Sequence, residues 1–206
     1  SSEALQIAVN NEYWYTTQAL IAGGAVPNEE TMRLAAENSD ADWATALVNA
    51  GGKPTAATLQ VAVNNEYWYT TQALLAGGAV PNEATMKLAA GLSDSDWAEA
   101  LVKAGGKPSS EALQIAVNNE YWYTTQALVA GGAAPDDWTL SYADRNLDSD
   151  WKYLLLKAAN DNKKAAPAAP AFNEAAAEQP KQDKSQLILR KQPKPPVKKR
   201  TPRNGM

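Results

Sequence analysis

Neither cysteine nor histidine occurs anywhere in this 206-residue chain. Without cysteine there is no disulfide, no thiolate nucleophile and no sulfur-ligated metal. Without histidine the chain lacks the commonest general base near neutral pH and the commonest zinc ligand. Any catalytic site would have to be assembled from carboxylates. The expectation is therefore a protein that is not an enzyme and has no metal, no cofactor and no small-molecule substrate. No apolar run approaches the ~18 residues of a membrane-spanning helix. Localisation is left unknown, with the cytoplasm as the first expectation.

What is present is unevenly distributed. Residues 1–159 hold 8 Lys/Arg against 19 Asp/Glu, a balance of -11, and residues 160–206 hold 11 against 4, a balance of +7. Such a split marks two physically different regions. The acidic region should repel nucleic acid, whereas the basic one could meet an anionic surface.

The acidic region is repetitive almost word for word. LQIAVNNEYWYTTQAL begins at Leu5 and again at Leu113, and LQVAVNNEYWYTTQAL begins at Leu59. Between them lie TMRLAAENSDADWATALVNAGGKP from Thr31 and TMKLAAGLSDSDWAEALVKAGGKP from Thr85, with a degenerate TLSYADRNLDSDWKYLLLKAAN from Thr139. Aligning the two kinds gives six units that alternate in type: 1–27, 28–54, 55–81, 82–108, 109–135 and 136–159. They are called odd and even units below.

Each unit reads as helix, turn, helix, turn. Ala4, Leu5, Ala8 and Val9 share one helical face. Asn11 is placed to cap a second helix running to Ala22, with Thr16, Thr17, Leu20 and Ile21 as its inward stripe. Gly23 and Gly24 end that helix, and Pro27 blocks its extension. In the even units Ser39 and Asp42, like Ser93 and Asp96, have capping-box spacing. Helices this short are marginal alone in water. Stacking on neighbours must stabilise them, which predicts an all-α solenoid of six helix-turn-helix repeats. The sixth unit, enriched in charge at Asp136, Asp137, Asp144, Arg145 and Lys152, reads as its C-terminal cap. Ser1-Ser2-Glu3 repeats Ser109-Ser110-Glu111 without any such adaptation, so further units are expected ahead of it.

Two runs carry a family resemblance. Thr31 to Asn38 resembles the ankyrin T-P-L-H-L-A-A-x-x-G run, and Ala46 to Gly52 resembles the ankyrin L-L-L-x-x-G-A ending; Leu5 to Ala25 matches similarly. The resemblance covers residues 1–159 and departs from the family in unit length, 27 residues against about 33. The shortfall lies between units, where ankyrins project a β-hairpin finger. Met32 stands in place of the motif's Pro and Arg33 in place of its His. The resemblance implies ankyrin-like repeats and protein–protein recognition without catalysis, through something other than a finger-lined groove.

The most unusual residues are three aromatic triplets: Tyr13-Trp14-Tyr15, Tyr67-Trp68-Tyr69 and Tyr121-Trp122-Tyr123. Consecutive helical residues are about 100° apart, so a triplet cannot face one core, and at least one ring should be largely exposed. Two readings stand. The triplets form a row of partner-binding patches, since Tyr and Trp are enriched in binding hot spots, or they lie over neighbouring units and lock the stack. Trp43, Trp97 and Trp151 are expected in the core. The pairs Asp40/Asp42, Asp94/Asp96 and Asp148/Asp150, and Glu12, Glu66 and Glu120, are read as charges at helix N-termini.

Residues 160–206 contain little that could form a core and are expected to be a disordered, basic, proline-rich tail. Pro193-Lys194-Pro195-Pro196-Val197-Lys198 resembles a ligand for Src-homology-3 domains. Lys198, Lys199 and Arg200 form a patch suited to an anionic surface. The functional expectation is a scaffold that binds a protein partner or a copy of itself. The alternative is a structural protein whose arrays assemble into filaments or lattices.

Overall fold

The structure, a computed structural model, describes residues 1–165. These residues form twelve α-helices and no strand. The odd units supply α1 (Ser2–Asn10), α2 (Trp14–Ala22), α5 (Ala56–Asn64), α6 (Trp68–Ala76), α9 (Ser110–Asn118) and α10 (Trp122–Ala130). The even units supply α3 (Glu29–Ala36), α4 (Ala41–Asn49), α7 (Glu83–Ala90), α8 (Ser95–Lys103), α11 (Asp137–Asn146) and α12 (Ser149–Ala165). Among the described residues no helix is long and apolar enough to cross a membrane.

The first helix of every unit starts on a short polar side chain that accepts a backbone N–H. Ser1, Asn28, Thr55, Asn82, Ser109 and Asp136 fill this role. Asn28 also accepts from the Thr31 hydroxyl at 2.7 Å, a pattern that Asn82 with Thr85 and Asp136 with Thr139 repeat. The second helices start differently, and here three expectations need correction. Asn11 does not cap α2. It closes α1, and its side-chain amide donates to the Ile7 carbonyl at 2.8 Å. Glu12 follows in the left-handed region at φ 56°, and the Tyr13 N–H returns to the Ala8 carbonyl at 2.8 Å. This is a helix C-terminal closure with glutamate in the position usually given to glycine. Glu12, Glu66 and Glu120 are thus turn residues, not first-turn charges of α2, α6 and α10. In the even units the cap is Asp40 rather than Ser39, accepting from the Asp42 N–H at 3.0 Å; Asp94 and Asp148 do the same.

The core has the 27-residue period of the sequence. From the first helices come Leu5, Met32, Leu59, Met86 and Leu113; from the second come Leu47, Leu74, Leu101, Leu128 and Leu155, all fully buried. Burying each such side chain is worth roughly 2 kcal/mol, which no isolated nine-residue helix could gain. The first helices α1, α3, α5, α7, α9 and α11 each rest on the next in one unbroken row.

The second helices alternate instead. α4 lies closely along α6, and α8 along α10, while α6 and α8, and α10 and α12, stand further apart. Glycine makes the close pairs possible. A Cβ added at Gly77 would lie 2.8 Å from Val48, nearer than side chains approach. Its neighbour Gly78 has φ +89° and open space around it, so the two glycines serve different ends: Gly77 allows contact and Gly78 allows the turn.

α12 departs from the even-unit plan. It continues past residue 159, where the sequence reading ends the array, to Ala165. Ala159 and Asn160 replace the Gly-Gly of residues 51–52 and 105–106, so nothing there favours a turn. The segment 160–165 is accordingly helical rather than disordered, and the rest of the expected tail lies outside the described residues.

Candidate protein-binding surface

Each aromatic triplet sits where an odd unit turns from its first helix into its second. The left-handed Glu fixes the direction of the chain, and Trp14, Trp68 and Trp122 become the first residues of α2, α6 and α10. These helices have no side-chain cap among the described residues. Successive positions then diverge by about 100° around the axis, and the three rings separate.

The tryptophans turn inward. Trp14 meets Trp43 edge-to-face with ring centroids 5.0 Å apart, and the same contact recurs between Trp68 and Trp97 and between Trp122 and Trp151. Trp43, Trp97 and Trp151 are buried, as their register implies. Edge-to-face pairs add about 0.5–1.5 kcal/mol beyond their burial. Each pair fills the wider gap between an odd unit's second helix and that of the following even unit.

The third residue of each triplet turns outward. Tyr15, Tyr69 and Tyr123 are 84%, 72% and 70% exposed. The first residue lies between these extremes: Tyr13 is exposed, while Tyr67 and Tyr121 are half-buried. Every odd unit therefore offers an outward tyrosine on a rigid helix, backed by an inward tryptophan. Around Tyr123, with Glu99, Val102, Lys103, Gln126 and Ala130, lies a groove of about 390 Å³ between α8 and α10. A second groove, of about 380 Å³, runs between α6 and α8 past Trp68, Gln72 and Asp96.

Sequence reasoning finds the triplets but not the Trp–Trp partnership. Its signal was present, since Trp14 and Trp43 are one unit and two residues apart, as are the other two pairs. The expected inward stripe of Thr16, Thr17, Leu20 and Ile21 does not hold together, since only Thr17 is buried and Leu20 and Ile21 are half-buried. Thr17, Thr71 and Thr125 are buried with hydroxyls that have no hydrogen-bond partner among the described residues. Thr70 and Thr124 reach across to the preceding unit, donating to the carbonyls of Asn38 at 3.0 Å and Leu92 at 3.3 Å. Thr16 is exposed.

The carboxylate pairs do their work within the backbone. Asp40, Asp94 and Asp148 accept N–H groups at the starts of α4, α8 and α12. The tail residues Pro193, Pro196, Lys198, Lys199 and Arg200 lie outside the described residues. Comparison of the chain with family models, curated proteins and solved structures finds no match.

Proposed function

We propose that this chain is a non-enzymatic binding scaffold, an ankyrin-like solenoid without fingers, that holds a protein partner through its repeated outward tyrosines. The observation that carries this reading is the division of labour within each triplet. One ring is spent on the stack, yet Tyr15, Tyr69 and Tyr123 remain 70–84% exposed at equivalent positions of three near-identical units. Exposed tyrosines on rigid helices give large contact area at low conformational-entropy loss, the usual character of a hot spot. Repetition of the same surface suits a partner that is itself repetitive, because linked weak contacts gain avidity. Tyr13, Tyr67 and Tyr121 flank this surface, and the tail motif at Pro193, Pro196 and Lys198–Arg200 supplies an accessory contact to a Src-homology-3-type domain or an anionic surface.

The ankyrin-like assignment is supported by the place of the quoted runs. Thr31 to Ala36 falls on α3 and Ala46 to Asn49 on α4, joined by a turn of four residues. The test compares pull-downs by the whole chain and by its Tyr15→Ala, Tyr69→Ala, Tyr123→Ala variant, with helicity checked by circular dichroism. The expected result is a captured protein that the equally helical variant loses. Retention of the same protein by the variant refutes the tyrosine surface.

A further inference from the structure

The turns that lead into the second helices carry charge of one sign. The segments 10–17, 37–45, 64–71, 91–99 and 118–125 each hold at least one Asp or Glu and no Lys or Arg. In each carboxylate pair of the even units the first member is spent as a cap. The second member, Asp42, Asp96 or Asp150, is exposed and makes no ion pair among the described residues.

These carboxylates have a fixed place. Asp42 lies one unit after Tyr15, Asp96 one unit after Tyr69 and Asp150 one unit after Tyr123. Each is the second residue of its helix, as each tyrosine is of α2, α6 and α10. The contact of Trp14 with Trp43, and the Thr70 hydroxyl donating to the Asn38 carbonyl, put the starts of neighbouring second helices side by side. The outcome is one exposed row across the array: Tyr15, Asp42, Tyr69, Asp96, Tyr123 and Asp150. The grooves described above open on it, one beside Asp96 and one beside Tyr123. Next to the row, Gln18, Gln72 and Gln126 are exposed as well. The helix dipole favours a carboxylate in a first turn, but it gives no reason for tyrosines to alternate with them.

We propose that this row binds an extended basic segment of a partner protein, in polyproline II conformation with an arginine at about every third residue. The proposal rests on the tyrosine surface and names what that surface takes. A guanidinium plane stacks on a tyrosine face and forks onto a carboxylate, so one kind of side chain satisfies both kinds of rung. Packed helices stand roughly 8–10 Å apart. A polyproline II segment returns the same side to a surface about every 9 Å, so each of its turns meets one rung. Its backbone carbonyls have no partners within the segment, and the glutamine amides beside the row are placed to donate to them. A helical partner, with a turn of about 5.4 Å, falls out of step with the rungs.

The test titrates the whole chain into a fluorescent peptide of six Arg-Pro-Pro repeats and follows anisotropy. A peptide of the same composition with its arginines consecutive is the control. The spaced peptide should bind roughly tenfold more tightly, because only it engages successive rungs together. The variant Asp42→Asn, Asp96→Asn, Asp150→Asn keeps every cap and every tyrosine. It should stay as helical by circular dichroism and lose roughly tenfold in affinity for the spaced peptide. Equal binding of the two peptides, or undiminished binding by the helical aspartate variant, overturns the proposal, since attraction is then to net charge alone. The tyrosine surface is judged separately by the pull-down. A protein that the tyrosine variant loses and the aspartate variant keeps leaves that surface standing and overturns only the basic segment. Self-association of the whole chain that the aspartate variant abolishes assigns the row to a second copy and likewise overturns it.

Discussion

Two adjacent threonines show how finely the array is specified. Thr70 is buried and donates across the unit junction, whereas Thr71 is buried with no partner for its hydroxyl among the described residues. A hydrogen bond of this kind contributes about 1 kcal/mol, and a buried unsatisfied hydroxyl costs at least as much. Thr70→Val should therefore destabilise by about 1 kcal/mol. Thr71→Val should stabilise by about the same amount, because it removes a desolvated polar atom while keeping the shape. Chemical denaturation of the two variants checks the opposite signs. Glu66 makes a parallel point. Its φ of 56° is a conformation that favours glycine, at a cost of about 1–2 kcal/mol for other residues. Glu66→Gly should raise stability by ~0.5–1 kcal/mol after the extra entropy of glycine in the unfolded chain is subtracted.

At the scale of helices, the caps decide where elements begin and some of them join neighbouring units. Asn28 caps α3 and donates to Gln6 at 3.1 Å; Asp136 caps α11 and accepts from Gln114. Partial burial alone would raise the Asp136 pKa, but hydrogen bonds from the Thr139 backbone and hydroxyl and from Gln114 outweigh it. Together they hold the carboxyl below its ordinary value of 3.8. Stability linked to Asp136 is thus fully present above that value and is lost as the pH falls through the lowered one. Asp136→Asn keeps a good cap, as Asn28 and Asn82 demonstrate, and removes the titration. Acid unfolding followed by circular dichroism should show a shallower loss of stability below pH 4 in this variant. Charge also ties helices together. Lys87 bridges Glu83 in its own helix at 3.2 Å and Glu111 in the next unit at 2.5 Å, and Glu111 is the larger cause of its raised pKa. Arg33, at the equivalent place, pairs with Glu30 and Glu37 in its own unit.

Across the whole molecule, the array couples only nearest neighbours, so its cooperativity depends on the weakest junction. The first-helix row is uniform, but the second helices touch closely only at the junctions where Val48 and Val102 seat on glycine. At the remaining junctions the Trp pairs bridge the second helices. Trp68→Ala removes half of the middle pair, at a cost of about 2 kcal/mol for a half-buried ring. It should weaken coupling between residues 1–81 and the units after them. Thermal unfolding should then broaden or divide into two steps, whereas Trp138→Ala, at an exposed ring stacked on Tyr142, should leave one transition. A single sharp transition in Trp68→Ala would show that the first-helix row alone maintains cooperativity.

Much of this was legible in the sequence because the signals are local. Gly-Gly ends, the proline that follows them and a 27-residue apolar period follow from backbone hydrogen bonding and helical geometry, and they define helix pairs without reference to distant residues. The necessity that one ring of each triplet face outward follows from the same 100° step. The sequence left undetermined which ring that would be, that the other would meet a tryptophan 29 residues on, and that one kind of junction would be close and the other open. Those outcomes depend on shape between units: a glycine lets Val48 approach Gly77, and the opposite junction, lacking that approach, leaves space that two indoles fill. The identity of Asn11 as a helix end and of Glu12 as a left-handed turn also came only from the tertiary structure, because aiming Trp14 at Trp43 requires a turn that local propensity does not favour.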